Sequence, residues 1–304
     1  MDKAIEISGV TRRFGTTVAV DRLSLEVARG EIVALVGPDG AGKTTLIRLI
    51  CGALALDGGE LRVDGIDVMR QTARVQAAIG YMPQRFNLYP DLSVMENLHF
   101  YGDIFGVSRA EFTSRARSLL DDFALARFGA RLASELSGGM KQKLALACTL
   151  IHSPATILLD EPTAGVDPVS RREFWRILYG INRNGTTIFV STAYMDEAER
   201  ANRVAFITRG TILSCGAPEE LKRQLRGSVV EIVCDKRREA RRALRDDPLV
   251  RSIEIFGESL HALVASPDAI GELKKRLEAA RIENVRLREI PPSLEDRFVA
   301  QLMA

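Results

Sequence analysis

Short hydrophobic runs separated by turn residues fill the first third of the chain and return in its middle. After Gly42 the spacing of apolar positions changes from the alternation of a strand to the period of a helix. The pattern predicts strands at 5–10, 23–27, 31–36, 61–63, 157–159 and 187–190, and a helix at 44–49. Because strands alternate with helices, we expect a parallel α/β core.

A helical insert interrupts this core. The chain between residues 92 and 132 has an almost wholly helical pattern, in which residues 90–93 supply a turn and a cap. Residues 115–125 form an amphipathic stretch within it. We therefore expect a helical subdomain that belongs to the same domain as the strands.

The last third of the chain has its own pattern, which begins after the turn residues 215–218 and a short connecting helix at 219–225. The pattern predicts strands at 228–234, 253–256, 260–264 and 285–290 and helices at 237–244 and 267–281. That order is βαββαβ, which is typical of a ferredoxin-like α+β domain.

Composition narrows the possible partners. The 304 residues suit about two domains. A net charge of +2 gives no basic excess that would indicate a nucleic-acid partner. The arginine-rich run 237–245 is interleaved with acidic residues, which favours a solvated helix face over a nucleic-acid site.

No signal peptide is visible, and the most apolar stretch, 144–159, is too short to span a membrane. The four cysteines lack metal-site or redox spacing, so we expect reduced, structural thiols.

One glycine-rich segment has the pattern G-x-x-x-x-G-K-T between a predicted strand and a predicted helix. Such a loop turns its backbone N–H groups toward phosphates, while its lysine contacts the β- and γ-phosphates and its threonine hydroxyl ligates Mg²⁺. A plain glycine turn would not need Lys-Thr directly after its last glycine. We expect the nucleotide to contact Gly37, Pro38, Asp39, Gly40, Ala41, Gly42, Lys43, Thr44 and the next residue, Thr45.

Two carboxylates, Asp160 and Glu161, directly follow the buried strand at 157–159. Strand ends in a parallel sheet share one edge, so this pair is expected beside the phosphate loop. Asp160 would hold Mg²⁺ or its water, and Glu161 would orient and deprotonate the attacking water. On its own, the pair could also be an acidic cluster at a helix N-terminus before Pro162.

The segment 136–143, Leu-Ser-Gly-Gly-Met-Lys-Gln-Lys, places a glycine pair at the start of a predicted helix. Together with the phosphate loop and the carboxylate strand, it resembles the signature of ATP-binding cassette (ABC) ATPases. The resemblance extends over residues 5–216, and it includes Gln84 and the loop at 164–167 in the family's order.

This resemblance implies the fold of an ABC cassette of the P-loop NTPase class, an α/β domain with a mixed core sheet. We expect this domain at 1–216, with its helical subdomain at about 87–150, and an accessory ferredoxin-like domain at 217–304. The family's cofactors are ATP and Mg²⁺.

The resemblance also assigns site residues. Phe14 would stack on the adenine ring, where the family more often has tyrosine, and Asp39 stands where asparagine is commoner. Gln84 joins Glu161 among the catalytic residues and joins Thr44 and Asp160 as a metal ligand. Ser137, Gly138 and Gly139 belong to the nucleotide site, and Ser137 and Gly139 reach the γ-phosphate held by the other protomer. A head-to-tail dimer with a second cassette is therefore implied.

One position departs from the family. The switch segment usually reads Ser-Thr-His, whereas this chain has Ser191-Thr192-Ala193. An alanine side chain cannot hydrogen-bond the γ-phosphate. Either hydrolysis is slow or asymmetric, in a dimer whose other half is complete, or this branch tolerates alanine because Glu161 suffices. The two hypotheses stay open at the level of the sequence.

Three segments, 81–84, 88–98 and 292–298, resemble the ATPase subunits of ABC-2-type exporters. That resemblance implies separate membrane permease subunits, a position at the cytoplasmic face of the cell membrane and a groove at 87–106 for a coupling helix of the permease. The alternatives are a soluble ABC ATPase that acts on ribosomes or nucleic acid, and a regulatory subunit that binds nucleotide without hydrolysing it. The exported substrate and the choice between homodimer and heterodimer are not encoded in recognisable motifs.

Overall fold

The computed structural model describes residues 2–85 and 88–303, which form two compact units that divide between Cys215 and Gly216. The division falls one residue before the boundary expected from the sequence. Asn87, where the helical subdomain and the groove are expected to begin, lies outside the described residues, as do the chain ends Met1 and Ala304.

A six-stranded sheet forms the centre of the first unit. In order across the sheet, its strands are β10 (Thr211–Gly216), β9 (Arg203–Thr208), β3 (Ile32–Val36), β8 (Thr187–Thr192), β7 (Thr156–Asp160) and β6 (Ile79–Met82). From β9 to β6 all neighbours are parallel. Every residue of β3, β7 and β8 is buried, which explains the continuous apolar sequence of β3 and the apolar runs 157–159 and 188–190 inside β7 and β8. The carboxyl ends of these three strands meet at one edge of the sheet.

A second, antiparallel sheet belongs to the same unit. In order, its strands are β2 (Thr17–Ala28), β1 (Lys3–Phe14), β4 (Gly58–Val63) and β5 (Ile66–Asp67). Buried residues of β1 and β2 share one hydrophobic core with helix α1 and with β3. The mixed α/β architecture expected from the sequence is therefore present.

Seven α-helices complete the described part of the first unit. They are α1 (Lys43–Ile50), α2 (Thr72–Ala78), α3 (Val94–Ile104), α4 (Arg109–Asp122), α5 (Gly138–Leu150), α6 (Pro168–Arg183) and α7 (Met195–Ala198). The expected cap is confirmed, because Ser93 and Glu96 form a capping box at the start of α3. The stretch predicted to be helical to residue 125 ends earlier, at Asp122, since Ala124 adopts a left-handed backbone with φ 56°.

The second unit contains the predicted βαββαβ order and two further helices. Its elements are α8 (Pro218–Arg223), β11 (Ser228–Val233), α9 (Arg237–Leu244), β12 (Val250–Phe256), β13 (Ser259–Val264), α10 (Ile270–Ala279), β14 (Arg286–Ile290) and α11 (Leu294–Met303). The strands lie in the order β12-β13-β11-β14 with antiparallel neighbours. Residues 267–269, predicted to start a helix, form a 3₁₀ turn before α10. Helix α11 was not predicted.

Throughout the described ranges, no helix is long and apolar enough to cross a membrane. All four cysteines are free thiols. Three of them are buried and fit the structural role expected for them, whereas Cys215 is exposed.

Candidate functional site

The phosphate loop connects the end of β3 to the start of α1 and is closely surrounded by backbone. A side chain at position 37 would place its Cβ 2.2 Å from the carbonyl oxygen of Ile207. At position 42, where φ is 106°, a Cβ would lie 2.4 Å from the carbonyl oxygen of Ala19 on β2. Only glycine fits both positions. The glycines of the motif are therefore required by the fold as well as by the approach of a phosphate.

Lys43, the first residue of α1, is almost fully buried, with 4% of its surface exposed. Its Nζ donates hydrogen bonds to the carbonyl oxygens of Gly37 and Pro38 at 2.8 and 3.2 Å. The same atom lies 3.2 Å from Oε1 of Glu161. The loop thus holds one cation at the amino end of a helix, beside a carboxylate from another strand.

Asp160 ends β7 and is 1% exposed. Its Oδ1 accepts hydrogen bonds from the hydroxyls of Thr44, at 3.1 Å, and Ser191, at 2.7 Å. Its Oδ2 is buried and has no hydrogen-bond partner among the described residues. A buried carboxylate oxygen without a partner is costly, and a carboxylate beside a threonine hydroxyl is a donor set that suits Mg²⁺. The residues present therefore fit this metal.

Glu161 connects three elements. Its backbone is left-handed, with φ 47°, and its N–H donates to both oxygens of Ser191, the side-chain Oγ at 2.9 Å and the carbonyl at 3.2 Å. Its Oε2 accepts from Nε2 of Gln84 at 3.1 Å, while Oε1 faces Lys43. An uncommon backbone conformation held by two hydrogen bonds indicates a side chain whose direction matters. Five of the predicted residues form one connected cluster, namely Lys43, Thr44, Gln84, Asp160 and Glu161.

The segment after β8 is fastened by a buried carboxylate. Both oxygens of Glu197, which is 1% exposed, accept short hydrogen bonds, from Thr163 Oγ1 at 2.6 Å and from Thr192 Oγ1 at 2.8 Å. Ala193 follows Thr192 directly and is exposed at the same sheet edge. Because its side chain is a methyl group, Ala193 adds no polar group to the cluster.

The signature residues lie on a different element. Ser137 caps α5 by accepting a hydrogen bond from the N–H of Met140 at 3.3 Å. A Cβ at Gly139 would lie 2.7 Å from Oγ of Ser170, so this glycine is required for the packing of α5 on α6. Ser137 and Gly138 are exposed. Within the described chain, no hydrogen bond or ion pair joins residues 137–139 to the phosphate loop.

Phe14 and Asp39 occupy exposed positions. Phe14 ends β1 and pairs with Thr17 across the turn to β2, with 46% of its surface accessible. The guanidinium of Arg12 lies 4.9 Å from the centre of its ring. Asp39 lies in the exposed part of the phosphate loop. The remaining predicted residues of this region, Gly40, Ala41 and Thr45, lie in the loop and in the first turn of α1.

A cavity of about 400 Å³ lies beside the cluster, between the segment that follows β6 and helix α5. Gln84, Arg85 and Pro90 line one part of it, and Gly138 and Lys141 line another. Gln84 therefore donates to the carboxylate of Glu161 and also borders an open surface that helix α5 shares.

Two residues next to the cluster have roles that the motifs did not indicate. Ser191 donates to Asp160 and accepts from the N–H of Glu161, and Glu197 joins the two loops that follow β7 and β8. The available signal was a small hydroxyl residue at the carboxyl end of a strand parallel to the carboxylate strand. This signal identifies Ser191 only if β8 is known to lie next to β7, and no local sequence pattern reveals that order.

Comparison with known proteins gives one family. The family model described as ABC transporter matches residues 20–164. The probable multidrug ABC transporter ATP-binding protein YbhF of Escherichia coli is 39% identical over 98% of this chain, which spans about half (52%) of that relative's length. The Nod factor export ATP-binding protein I of Paraburkholderia xenovorans is 38% identical over 98% of this chain and 96% of its own. The daunorubicin resistance ATP-binding protein DrrA2 of Streptomyces coeruleorubidus is 34% identical over 97% and 94%.

Solved structures show the same architecture. A dimeric structure of a bacterial ABC transporter cassette has a TM-score of 0.64 and 28% identity, and it covers 70% of this chain and 98% of its own. A structure of that cassette with bound ADP and phosphate has a TM-score of 0.63 and the same identity and coverage.

Proposed function

The chain belongs to the ABC transporter family of ATP-binding proteins, and we propose that it is the ATPase subunit of a multi-subunit ABC-2-type exporter. The main support for ATPase activity is the cluster at one edge of the sheet that contains Lys43, Thr44, Gln84, Asp160 and Glu161. The relatives are named for Nod factor export, daunorubicin resistance and multidrug transport, which supports export as the work that ATP drives. None of these residues indicates which class of substrate the exporter transports.

In this proposal the phosphate loop binds the substrate ATP and Glu161 starts its hydrolysis. Lys43 and the N-terminus of α1 contact the β- and γ-phosphates, and Phe14 stacks on the adenine ring. Glu161 Oε1 is 3.2 Å from Lys43, so the general base lies close to where the γ-phosphate would be held. Gln84 and the N–H bonds to Ser191 fix the direction of this carboxylate toward the attacking water.

Thr44 and Asp160, with Gln84, are the residues that would hold Mg²⁺. The unpartnered Oδ2 of Asp160 supports this assignment, because it lies on the carboxylate that the Thr44 hydroxyl already contacts. When bound, the metal would neutralise charge on the β- and γ-phosphates.

A second cassette completes the site in this account. Ser137, Gly138 and Gly139 stand at the exposed start of α5, where the helix N-terminus can receive an anion from another molecule. A related cassette forms a dimer, which supports pairing of two cassettes. In the proposed head-to-tail pair, each signature would reach the γ-phosphate bound by its partner. ATP would then close the pair, and hydrolysis would release it.

The membrane subunits would receive this motion through the surface around Gln84. The cavity bordered by Gln84, Arg85 and Lys141 offers a recess beside the expected groove at 87–106 for a coupling helix of a permease. The protein would therefore work as a peripheral subunit at the cytoplasmic face of the cell membrane. The names of the relatives support this exporter and give no support to an ATPase of ribosomes or nucleic acid.

A regulatory subunit that does not hydrolyse ATP is the second candidate, and Ala193 is the observation that favours it. Steady-state ATPase assays with Mg²⁺ separate the two. If the proposal is right, Glu161→Gln lowers kcat by about 10²–10⁴-fold and leaves ATP binding intact, because only the proton acceptor is lost. The exposed Glu60 provides a matched control, and Glu60→Gln should change neither. Binding of ATP without turnover in the unmodified protein would favour the regulatory role.

A further inference from the structure

The second unit contains a cavity of about 770 Å³ with an unusual lining. Four of the ten lining residues are arginines, Arg223, Arg226, Arg251 and Arg297, and none is aspartate or glutamate. They come from the end of α8, the segment before β11, strand β12 and helix α11. Folding therefore gathers four positive charges from distant parts of the chain around one recess, and the volume lies within the range of about 300–1,000 Å³ typical of small-molecule sites.

These arginines lack the carboxylate partners that some other arginines of the same unit have. Arg241 binds Glu254 at 2.8 Å, Arg288 binds Glu231 at 2.6 Å, and Arg276 pairs with Asp247. In the described part of the chain, no carboxylate lies within ion-pairing distance of the four guanidinium groups of the cavity. The positive charge of these four groups is thus not paired with a carboxylate within the described part of the chain.

Three of the four side chains donate hydrogen bonds to neutral groups, among them Arg297, whose Nη2 lies 3.5 Å from Oε1 of Gln224. Arg251 Nη1 donates to the carbonyl oxygen of Arg226 at 2.9 Å, and Arg223 Nε donates to that of Glu219 at 3.2 Å. Arg297 is half-buried, and its Nε has no hydrogen-bond partner among the described residues. Burial also lowers the pKa of Arg297, which reflects the cost of keeping this charge out of water. An anion in the cavity would relieve that cost.

We propose that this cavity, hereafter the arginine cavity, binds an organic molecule that carries phosphate groups. Guanidinium groups present paired N–H donors that match phosphate oxygens, and several converging arginines suit a polyanion better than a single carboxylate. The rest of the lining includes Leu225, Leu263, Ala300 and Met303, which offer an apolar wall to the remainder of the ligand. The site is independent of the ATP site, because every lining residue belongs to the second unit.

The test uses full-length protein that carries Lys43→Ala, so that the phosphate loop does not contribute. Inorganic pyrophosphate is titrated by calorimetry, and vesicles of phosphatidylcholine and phosphatidylglycerol are tested by co-sedimentation. The double variant Arg223→Gln/Arg251→Gln removes two exposed charges of the cavity. Arg238→Gln/Arg242→Gln, on the exposed face of α9, removes the same charge elsewhere. Circular dichroism confirms that each protein is folded.

We expect pyrophosphate to bind and the cavity variant to weaken binding about tenfold or more, while the α9 variant binds like the parent. Binding of vesicles but not of pyrophosphate, with the same dependence on the cavity arginines, would support the phosphate site and assign a lipid headgroup as its source. Absence of binding to both probes would overturn the proposal, as would an equal loss in the two double variants. The outcome does not depend on whether the first unit hydrolyses ATP.

Discussion

At the scale of single residues, the site depends on a few hydroxyl and amide contacts that aim two carboxylates. Ser191 is central, because its hydroxyl donates to Asp160 and accepts from the N–H of Glu161. It touches neither phosphate nor water in the proposed reaction, so it is a positioning residue. Its effect should appear in the chemistry and in the metal dependence more than in the affinity for ATP.

Ser191→Ala should therefore lower kcat about tenfold and raise the Mg²⁺ concentration needed for half-maximal rate, since one charged hydrogen bond is lost. The KM for ATP should change little. Thr187→Ala is the control, because it removes a buried hydroxyl at the opposite end of the same strand, where it accepts from the N–H of Gly30. A Ser191→Ala protein with unchanged kcat and unchanged metal dependence would exclude the positioning role.

The effect of Ala193 on hydrolysis can be tested by adding a hydrogen-bonding side chain at this position. The position is exposed at the carboxyl end of β8, so a larger side chain meets no packed core. If the missing imidazole limits hydrolysis, Ala193→His should raise kcat, because a donor toward the γ-phosphate is supplied. Ala193→Leu, which adds volume without a donor, should not. Equal rates in all three proteins would instead show that Glu161 suffices.

At the scale of elements, the phosphate loop depends on glycine for two different reasons. Gly40 and Gly42 both have positive φ, 76° and 106°, but only Gly42 faces backbone where a Cβ would stand. That Cβ would lie 2.4 Å from the carbonyl oxygen of Ala19, so any side chain at position 42 would push the loop away from strand β2. A substitution at Gly40 therefore tests backbone strain alone, whereas a substitution at Gly42 tests strain together with steric overlap.

Gly40→Ala should lower the free energy of unfolding by roughly 1–2 kcal/mol, the cost of a left-handed backbone with a side chain. Gly42→Ala should lower it by a further ~1–3 kcal/mol and weaken ATP binding, because the loop must shift away from Ala19. Chemical denaturation and nucleotide titration measure both effects. Equal losses of stability in the two variants would contradict the close packing of Gly42.

Helix α11 is attached to the second unit by a buried carboxylate. Burial alone would raise the pKa of Asp296, but hydrogen bonds from His261 and Ser293 lower it below the ordinary value of 3.8. A lowered pKa in the folded state adds stability above the unfolded pKa and loses it as the pH falls through the folded pKa.

Asp296→Asn should therefore be destabilising at pH 7, and the difference from the parent should shrink once the pH falls below about 4. Urea denaturation at several pH values measures this difference. Asp246→Asn, at an exposed position without an ion pair among the described residues, is the control and should show no such dependence. A difference that stays constant as the pH is lowered would rule out ionised Asp296 as the anchor.

At the scale of the whole molecule, the motifs predicted which residues lie close together, whereas the strand order of the sheet determines the contacts between them. Lys43, Asp160 and Glu161 were expected together because parallel strands end at one edge. In the structure Lys43 lies 3.2 Å from Glu161, and Asp160 accepts a hydrogen bond from Thr44, the residue after Lys43. The role of Ser191 could not be predicted, because β8 inserts between β3 and β7. The inner residues of all three strands are buried and apolar, so the order of the strands is set by tertiary packing that leaves no local pattern.

Other differences have similar physical origins. The end of α4 is set by a left-handed residue that is not glycine, Ala124, which carries no turn signal in the sequence. Helix α11 was not predicted, because segment 292–298 was interpreted only through its resemblance to exporter ATPases. The sequence did contain a helix start, since Ser293 and Asp296 cap α11 with reciprocal hydrogen bonds. The arginine cavity was invisible as well, because its residues lie far apart in the chain and share no motif.

The central claim is that each ATP site is composite, with the phosphate loop of one cassette and the signature of another. Light scattering of the Glu161→Gln protein with and without Mg²⁺ and ATP tests it most directly, because blocked hydrolysis should trap the closed pair. We expect a monomer without nucleotide, a dimer with ATP, and a monomer again when Gly138→Asp places a negative charge in the signature, at an exposed position where a side chain meets no neighbour. A Glu161→Gln protein that binds ATP and remains monomeric, or that dimerises equally well with Gly138→Asp, would contradict the composite site.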